Sequence, residues 1–246
     1  MALDFDLSTI QEARDLARQA KKAQDVLADY SAQQIDAILV AMVKAVEDNA
    51  EALARMAVEE TSYGILAHKV IKNKFAALDV YESIKDMKTT GIIKEDTSKR
   101  LIEAAVPVGV VMGITPTTNP TSTVIHNTLV AVKSGNAIVF APHPNAIKCS
   151  CAAAQLLQDA ALKAGGPAGL VNCLSKTSMQ ATEELMKNSN ISVIVATGGS
   201  AMVRAAYSAG KPAFGVGPGN VPAFVERSAD VKQAVKDIIT SKTFDN

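Results

Sequence analysis

Residues 108–120 read VGVVMGITPTTNP, and the fold follows from them. The apolar, β-branched first half ends in the polar turn Thr115-Pro116-Thr117-Thr118-Asn119-Pro120, and a helical pattern follows at once. A buried strand that stops in a proline-bounded turn and re-enters as a helix is the first half of a βαβ unit. In open α/β sheets, ligands bind outside the carboxyl ends of such strands. Asn119 would therefore stand at the top of the sheet, where its amide could donate to an oxyanion. Asn is also a preferred helix N-cap, and spacing alone leaves both roles open.

C-terminal to this stretch the pattern alternates without a break. The first strand, Val108–Thr115, leads to a helix over Thr121–Lys133. Strand Ala137–Ala141 ends at Pro142-His143-Pro144, and helix Ala146–Lys163 follows. Strand Leu170–Leu174, helix Ser178–Lys187 and strand Ser192–Ala196 come next. The turn Thr197-Gly198-Gly199-Ser200 then opens helix Ala201–Ala209, before strand Ala213–Val216. This predicts an α/β fold, a Rossmann-like doubly wound parallel sheet of about five strands with right-handed crossovers.

N-terminal to the stretch, residues 86–105 read as a hairpin, with Ile92-Ile93-Lys94 and Arg100-Leu101-Ile102-Glu103 as its strands. Such a hairpin could serve as an oligomerisation arm. Residues 8–85 read as helices. Ser8 and Gln11 have capping-box spacing. Ser31 opens a second helix carrying Ile35, Ile38, Leu39, Met42, Val43 and Val46 on one face; Ala50–Glu60 is a third. Gly64 breaks the pattern, and His68–Ile84 is a fourth, with His68 on its surface. Residues 1–85 thus form an N-terminal helical region, 86–105 the hairpin and 106–246 the nucleotide-binding region.

Composition narrows the function classes. Of 246 residues, 48% are hydrophobic and 20% charged, which describes a globular chain with a core. Lys+Arg and Asp+Glu both number 25, so no charge excess points to nucleic acid or an anionic membrane. No apolar run approaches the roughly 20 residues of a membrane span, and MALDFDLSTIQEARDLARQAKK lacks signal-peptide order. Cys149, Cys151 and Cys173 fit neither a disulfide framework nor a zinc site; they read as reduced thiols of a cytoplasmic protein, and no metal is expected.

The clearest ligand signal is the strand–Gly198-Gly199–helix turn. Its glycines allow close approach, and the helix start offers N–H groups to a phosphate; an ordinary tight turn is the alternative. Gly215-Val216-Gly217-Pro218-Gly219 is no dinucleotide fingerprint, because the extended Val221-Pro222-Ala223-Phe224-Val225 follows where a helix should open. Those glycines would let the chain cross the ligand side of the sheet. His143 could bond a ribose or phosphate, or simply sit in a rigid loop between two prolines. His126 reads as a packing or surface residue.

Four runs in this order, ITPTTNPTST (114–123), SGNAIVFAPHP (134–144), ATGGSAMVRAAYSAGKPAFGVGPGN (196–220) and SKTFDN (241–246), resemble the aldehyde dehydrogenase superfamily. Within it they resemble the CoA-acylating branch. The resemblance implies NAD-dependent conversion of a small aldehyde and CoA into acyl-CoA, through a cysteine thiohemiacetal. It assigns Asn119 to the thiohemiacetal oxygen and Thr115, Pro116, Thr117 and Thr118 to the nicotinamide side. Pro142, His143 and Pro144 match the adenosine-ribose loop; Thr197, Gly198, Gly199 and Ser200 match the pyrophosphate turn. Hydrolytic members carry a glutamate base on the segment matching Phe214–Gly219, which has no carboxylate here; release by CoA thiol fits that.

The family's cysteine lies a few residues beyond the segment matching Ser241–Asn246, and none of the three cysteines here matches it. The resemblance thus implies the N-terminal half of the enzyme, inactive alone, with acetaldehyde as the default substrate. A homo-oligomer is expected, in the cytoplasm or a bacterial microcompartment. The alternative is a natural non-catalytic nucleotide- or CoA-binding or assembly protein on the same half-fold.

Overall fold

The computed structural model describes residues 4–217, 219 and 221–245. Helix α1 (Phe5–Leu27) begins one turn before the expected capping box. Asp4 caps it, and Ser8 Oγ donates instead to Phe5 O. Ala13, Ala17 and Ala20 are fully buried, small side chains at helical spacing that let the helix sit close to its neighbours. Helix α2 (Ala32–Thr61) opens with a complete capping box between Ser31 and Gln34. It runs unbroken where two helices were expected. Glu47 and Asp48 lie on its exposed face, and no glycine or proline interrupts it.

Ser62 ends α2 in the left-handed region and Gly64 turns the chain at φ +89°. Helix α3 (Leu66–Lys74) passes through a π-helical turn, Phe75–Asp79, into α4 (Val80–Ile84), where one regular helix was expected. The hairpin forms as β1 (Gly91–Asp96) antiparallel to β2 (Leu101–Ala105), with an irregularity between Ile92 and Lys94.

The sheet alternates as read, with shifted ends: β3 (Val110–Thr115), α5 (Pro120–Lys133), β4 (Ala137–Pro142), α6 (Ile147–Lys163), β5 (Val171–Cys173), α7 (Met179–Lys187), β6 (Ile191–Thr197), α8 (Ser200–Tyr207) and β7 (Ala213–Val216). β3 starts two residues late because Gly109, at φ +121°, gives its N–H to Asn136 Oδ1 rather than to a strand. Residues 221–225 are exposed coil outside the sheet, and α9 (Val231–Lys242) follows, unanticipated.

The five strands run in the order β5-β4-β3-β6-β7, all parallel. The chain moves outward from β3 through β4 to β5, then returns past β3 to β6 and β7. With right-handed crossovers, that reversal places α5 and α6 on one face and α7 and α8 on the other. α1 packs beside α7 and α2 lies over α5 and α6. Glu60 of α2 accepts from the N–H groups of Lys148 and Cys149 at the start of α6, at 2.8 and 2.7 Å. β3 and β4 are buried throughout, with Phe140 among the largest enclosed side chains. The reversal also leaves a crevice between the carboxyl ends of β3 and β6, the topological switch point.

Candidate active site

A cavity of about 710 Å³ opens at that switch point. Thr115, Pro116, Thr117, Thr118 and Asn119 line it from the end of β3. Pro142, His143 and Pro144 reach it from β4, Thr197, Gly198 and Gly199 from β6, and Gly217 and Gly219 from beyond β7. Pro218 lies outside the described residues. Ser200 is not in the lining, and it does not cap α8. β6 runs one residue further than expected, to Thr197, so Gly199 occupies the cap position and Ser200 is the exposed first residue of the helix.

Beyond the strand residues Ile114 and Ala141, the cavity is also lined by Tyr63, Thr177, Ser178, Met179, Thr182 and Met202. The middle four belong to the loop after β5 and the start of α7. Extending the strand-end rule to that third strand points to them.

Thr115 is almost fully buried, and its Oγ1 has no partner among the described residues. A side chain built on Gly198, Gly199, Gly217 or Gly219 would meet nothing, so open volume lies beside this backbone. Among the described residues no Asp, Glu, Lys or Arg lines the cavity. α8 has no side-chain cap, which leaves its first N–H groups and positive dipole end available to an anion. His143 Nδ1 accepts from Asn145 N at 3.1 Å, so Nε2 is the ring nitrogen left for a ligand.

Asn119 holds the N-cap position of α5, yet its side chain makes no cap bond. Pro120 at the first helical position has no N–H to satisfy. The amide instead bridges: Oδ1 accepts from Lys72 Nζ at 2.8 Å, and Nδ2 donates to Thr118 Oγ1 at 3.3 Å. Lys69, one turn earlier on α3, donates to Thr118 O at 2.7 Å. Both ammonium groups meet Asp245 Oδ2, at 3.1 Å from Lys69 and 2.8 Å from Lys72.

Asp245 is buried, and Ile65 N donates to its other oxygen at 3.0 Å. Burial pushes its carboxyl up, but the bonds from Lys72, Ile65 N and Lys69 outweigh that and hold it below the ordinary range. Burial lowers Lys69, with Asp245 opposing. A Cβ at Gly64 would lie 2.5 Å from Asp245 Oδ1, so the close approach requires glycine there. His68 is not the surface residue expected. It is half-buried, accepts from Asp245 N at 2.9 Å and stacks on Phe244 at 4.5 Å, because the C-terminal turn folds back over α3. His126 is exposed, as expected.

None of the three cysteines lines the cavity. Cys149 is buried in α6, and burial, with Glu60 beside it, pushes its thiol up to about 12. The Cys151 and Cys173 sulfurs both turn to Leu174 O, at 3.4 and 3.8 Å. Among the described residues no three His, Cys, Asp or Glu side chains are grouped to hold a metal, and no helix is long and apolar enough to cross a membrane.

A model of the aldehyde dehydrogenase family matches residues 2–246. The chain is 44% identical over 240 residues to a bifunctional aldehyde-alcohol dehydrogenase of Escherichia coli, covering 98% of this chain and 27% of that protein. The structure superposes on an acetylating aldehyde dehydrogenase from Geobacillus thermoglucosidasius with a TM-score of 0.96 and 53% identity, over 99% of this chain and 54% of the other. A propionaldehyde dehydrogenase from Rhodopseudomonas palustris, solved with bound CoA and an acylated cysteine, superposes with a TM-score of 0.84 and 33% identity, over 95% and 53%. The chain thus spans about half the length of these solved relatives.

Proposed function

Because the chain belongs to the aldehyde dehydrogenase family, we propose that it is the dinucleotide-binding portion of a CoA-acylating aldehyde dehydrogenase. The reaction is aldehyde plus CoA plus NAD+ to acyl-CoA plus NADH plus a proton. The observation that carries the reading is the Asn119 amide, turned away from helix capping and held at the edge of a cavity that no carboxylate lines among the described residues.

NAD supplies the hydride acceptor. The cavity suits it: the glycines leave room beside the start of α8, whose first N–H groups carry no side-chain cap. Thr197, Gly198 and Gly199 would hold the pyrophosphate, and Pro142, His143 and Pro144 the adenosine ribose. Thr115, Pro116, Thr117 and Thr118 would line the nicotinamide side, and Gly217 gives backbone access. Ser200, the first residue of α8, would contribute its backbone N–H to the same pyrophosphate.

Asn119 would donate to the aldehyde oxygen as a cysteine thiolate adds and negative charge gathers there. That cysteine is none of Cys149, Cys151 or Cys173, which all lie off the cavity, so on this reading the 246-residue chain turns over no aldehyde by itself. Among the described residues the cavity offers no carboxylate to activate water. The acyl thioester therefore passes to the CoA thiol, a better nucleophile that needs less help. The R. palustris relative, seen with CoA and an acylated cysteine, supports this order. Exposed Ile92, Ile93, Leu101 and Ile102 on the hairpin support a homo-oligomer.

The test uses the protein that carries this chain, supplied with acetaldehyde, NAD+ and CoA, with NADH absorbance as the signal. Reduction that requires CoA, survives Ala at all three cysteines, and falls about 10²–10³-fold in Asn119→Ala is expected. Reduction without CoA would mean hydrolysis. NAD binding with no turnover would favour a non-catalytic binding or assembly protein.

A further inference from the structure

Deepening that reading, and resting on it for its chemistry, we propose that Lys72 is the positioning residue that orients the Asn119 amide and makes it a stronger donor. An ammonium group can only donate. The atom 2.8 Å from Lys72 Nζ must therefore be the carbonyl oxygen of Asn119, and the NH2 is left for the cavity that Asn119 lines. Without Lys72, both ends of the amide could take either direction, since Asn119 caps no helix and its remaining bond, to Thr118 Oγ1, is long at 3.3 Å. A hydroxyl accepts as readily as it donates, so Thr118 cannot select the orientation by itself.

Lys72 is in turn held by Asp245, 2.8 Å away and buried, which keeps the ammonium from swinging to solvent. Lys69 shares the same carboxylate oxygen and fixes the adjacent carbonyl of Thr118. Two lysines, one helical turn apart, thus pin two consecutive residues of the loop after β3. The charge also acts through the amide: a cation on the oxygen draws electron density from the nitrogen and strengthens its N–H as a donor. Lys72 never needs to touch the substrate.

The side-chain amide resonances of Asn119 in the isotopically labelled chain, assigned by their loss in Asn119→Asp, read the orientation without any substrate. Lys72→Met should shift and broaden them, and Lys72→Arg should restore a single sharp pair. In the protein that carries the chain, Lys72→Met should lower kcat about 10–100-fold, less than loss of the donor itself. KM for the aldehyde should stay within about threefold, because the interaction matters when charge develops. Lys72→Arg should recover most of the rate.

Unchanged Asn119 resonances in folded Lys72→Met overturn the proposal. So does an altered amide with unaltered kcat. Should Lys72→Met not fold, Lys72→Gln decides by the same resonances. A wild-type protein that reduces no NAD+ with aldehyde and CoA defeats the parent reading instead, while the amide signal still decides the orientation.

Discussion

The β3–β4 side of the molecule and its β7–α9 side both carry apolar patterns and have different surroundings. β4 is buried at every position between α5 and α1. β7, at the other edge of the same sheet, leaves Phe214 and Val216 more than 60% exposed. α9 is amphipathic by sequence, with Val231, Val235, Ile238 and Ile239 at helical spacing, yet buries none of them. Phe224, in the connecting coil, is 91% exposed. An apolar pattern announces a face; burial depends on what lies opposite it.

The sharpest way to break this comparison is to cut both sides. Phe140→Ala should cost about 3–5 kcal/mol by chemical denaturation of the chain, whereas Phe224→Ala should stay within about 0.5 kcal/mol. Equal losses would mean that the β7 side is packed in solution. The Asp245 cluster is the exception on the C-terminal side, a part of it that is anchored. Asp245→Asn should cost about 3 kcal/mol, because it leaves Lys69 buried without its counter-charge.

The same cluster has a pH signature. Asp245 is held below its ordinary 3.8 when folded, so the unfolded chain binds the proton first. Its contribution is present at neutral pH and is lost as pH falls through that range and below. Stability measured from pH 6 down to 3 should fall less steeply in Asp245→Asn than in wild type. The smallest effect should come from Ile239→Asp. Stability should move by less than about 0.5 kcal/mol, while binding of a hydrophobic dye such as ANS should drop if the α9 face is open. Unchanged dye binding would place the accessible apolar surface elsewhere.

The order of strands and helices was legible between residues 108 and 216 because strand and helix periods differ and each strand end carries its own turn chemistry. Most of the cavity lining was legible for the same reason. Ser200 was misplaced because the exact end of β6 depends on its pairing with β7, Thr197 opposite Val216. α2 was read as two helices although no glycine or proline lies between Val46 and Ala50, and the structure carries one helix through. The loop after β5 was missed because its glycine-free sequence, Ser175-Lys176-Thr177-Ser178, advertises no phosphate turn.

By itself the sequence determined the alternation, the parallel sheet, the turn at Asn119 and the glycines at Gly198-Gly199, all local consequences of propensity and periodicity. Only the tertiary structure decided which end of the Asn119 amide faces the cavity. That choice depends on Lys69 and Lys72, some fifty positions upstream, and on Asp245, more than a hundred positions downstream. Charges that distant in the chain are brought within hydrogen-bond reach only when α3 and the C-terminal turn close on the loop after β3, and no periodicity records it.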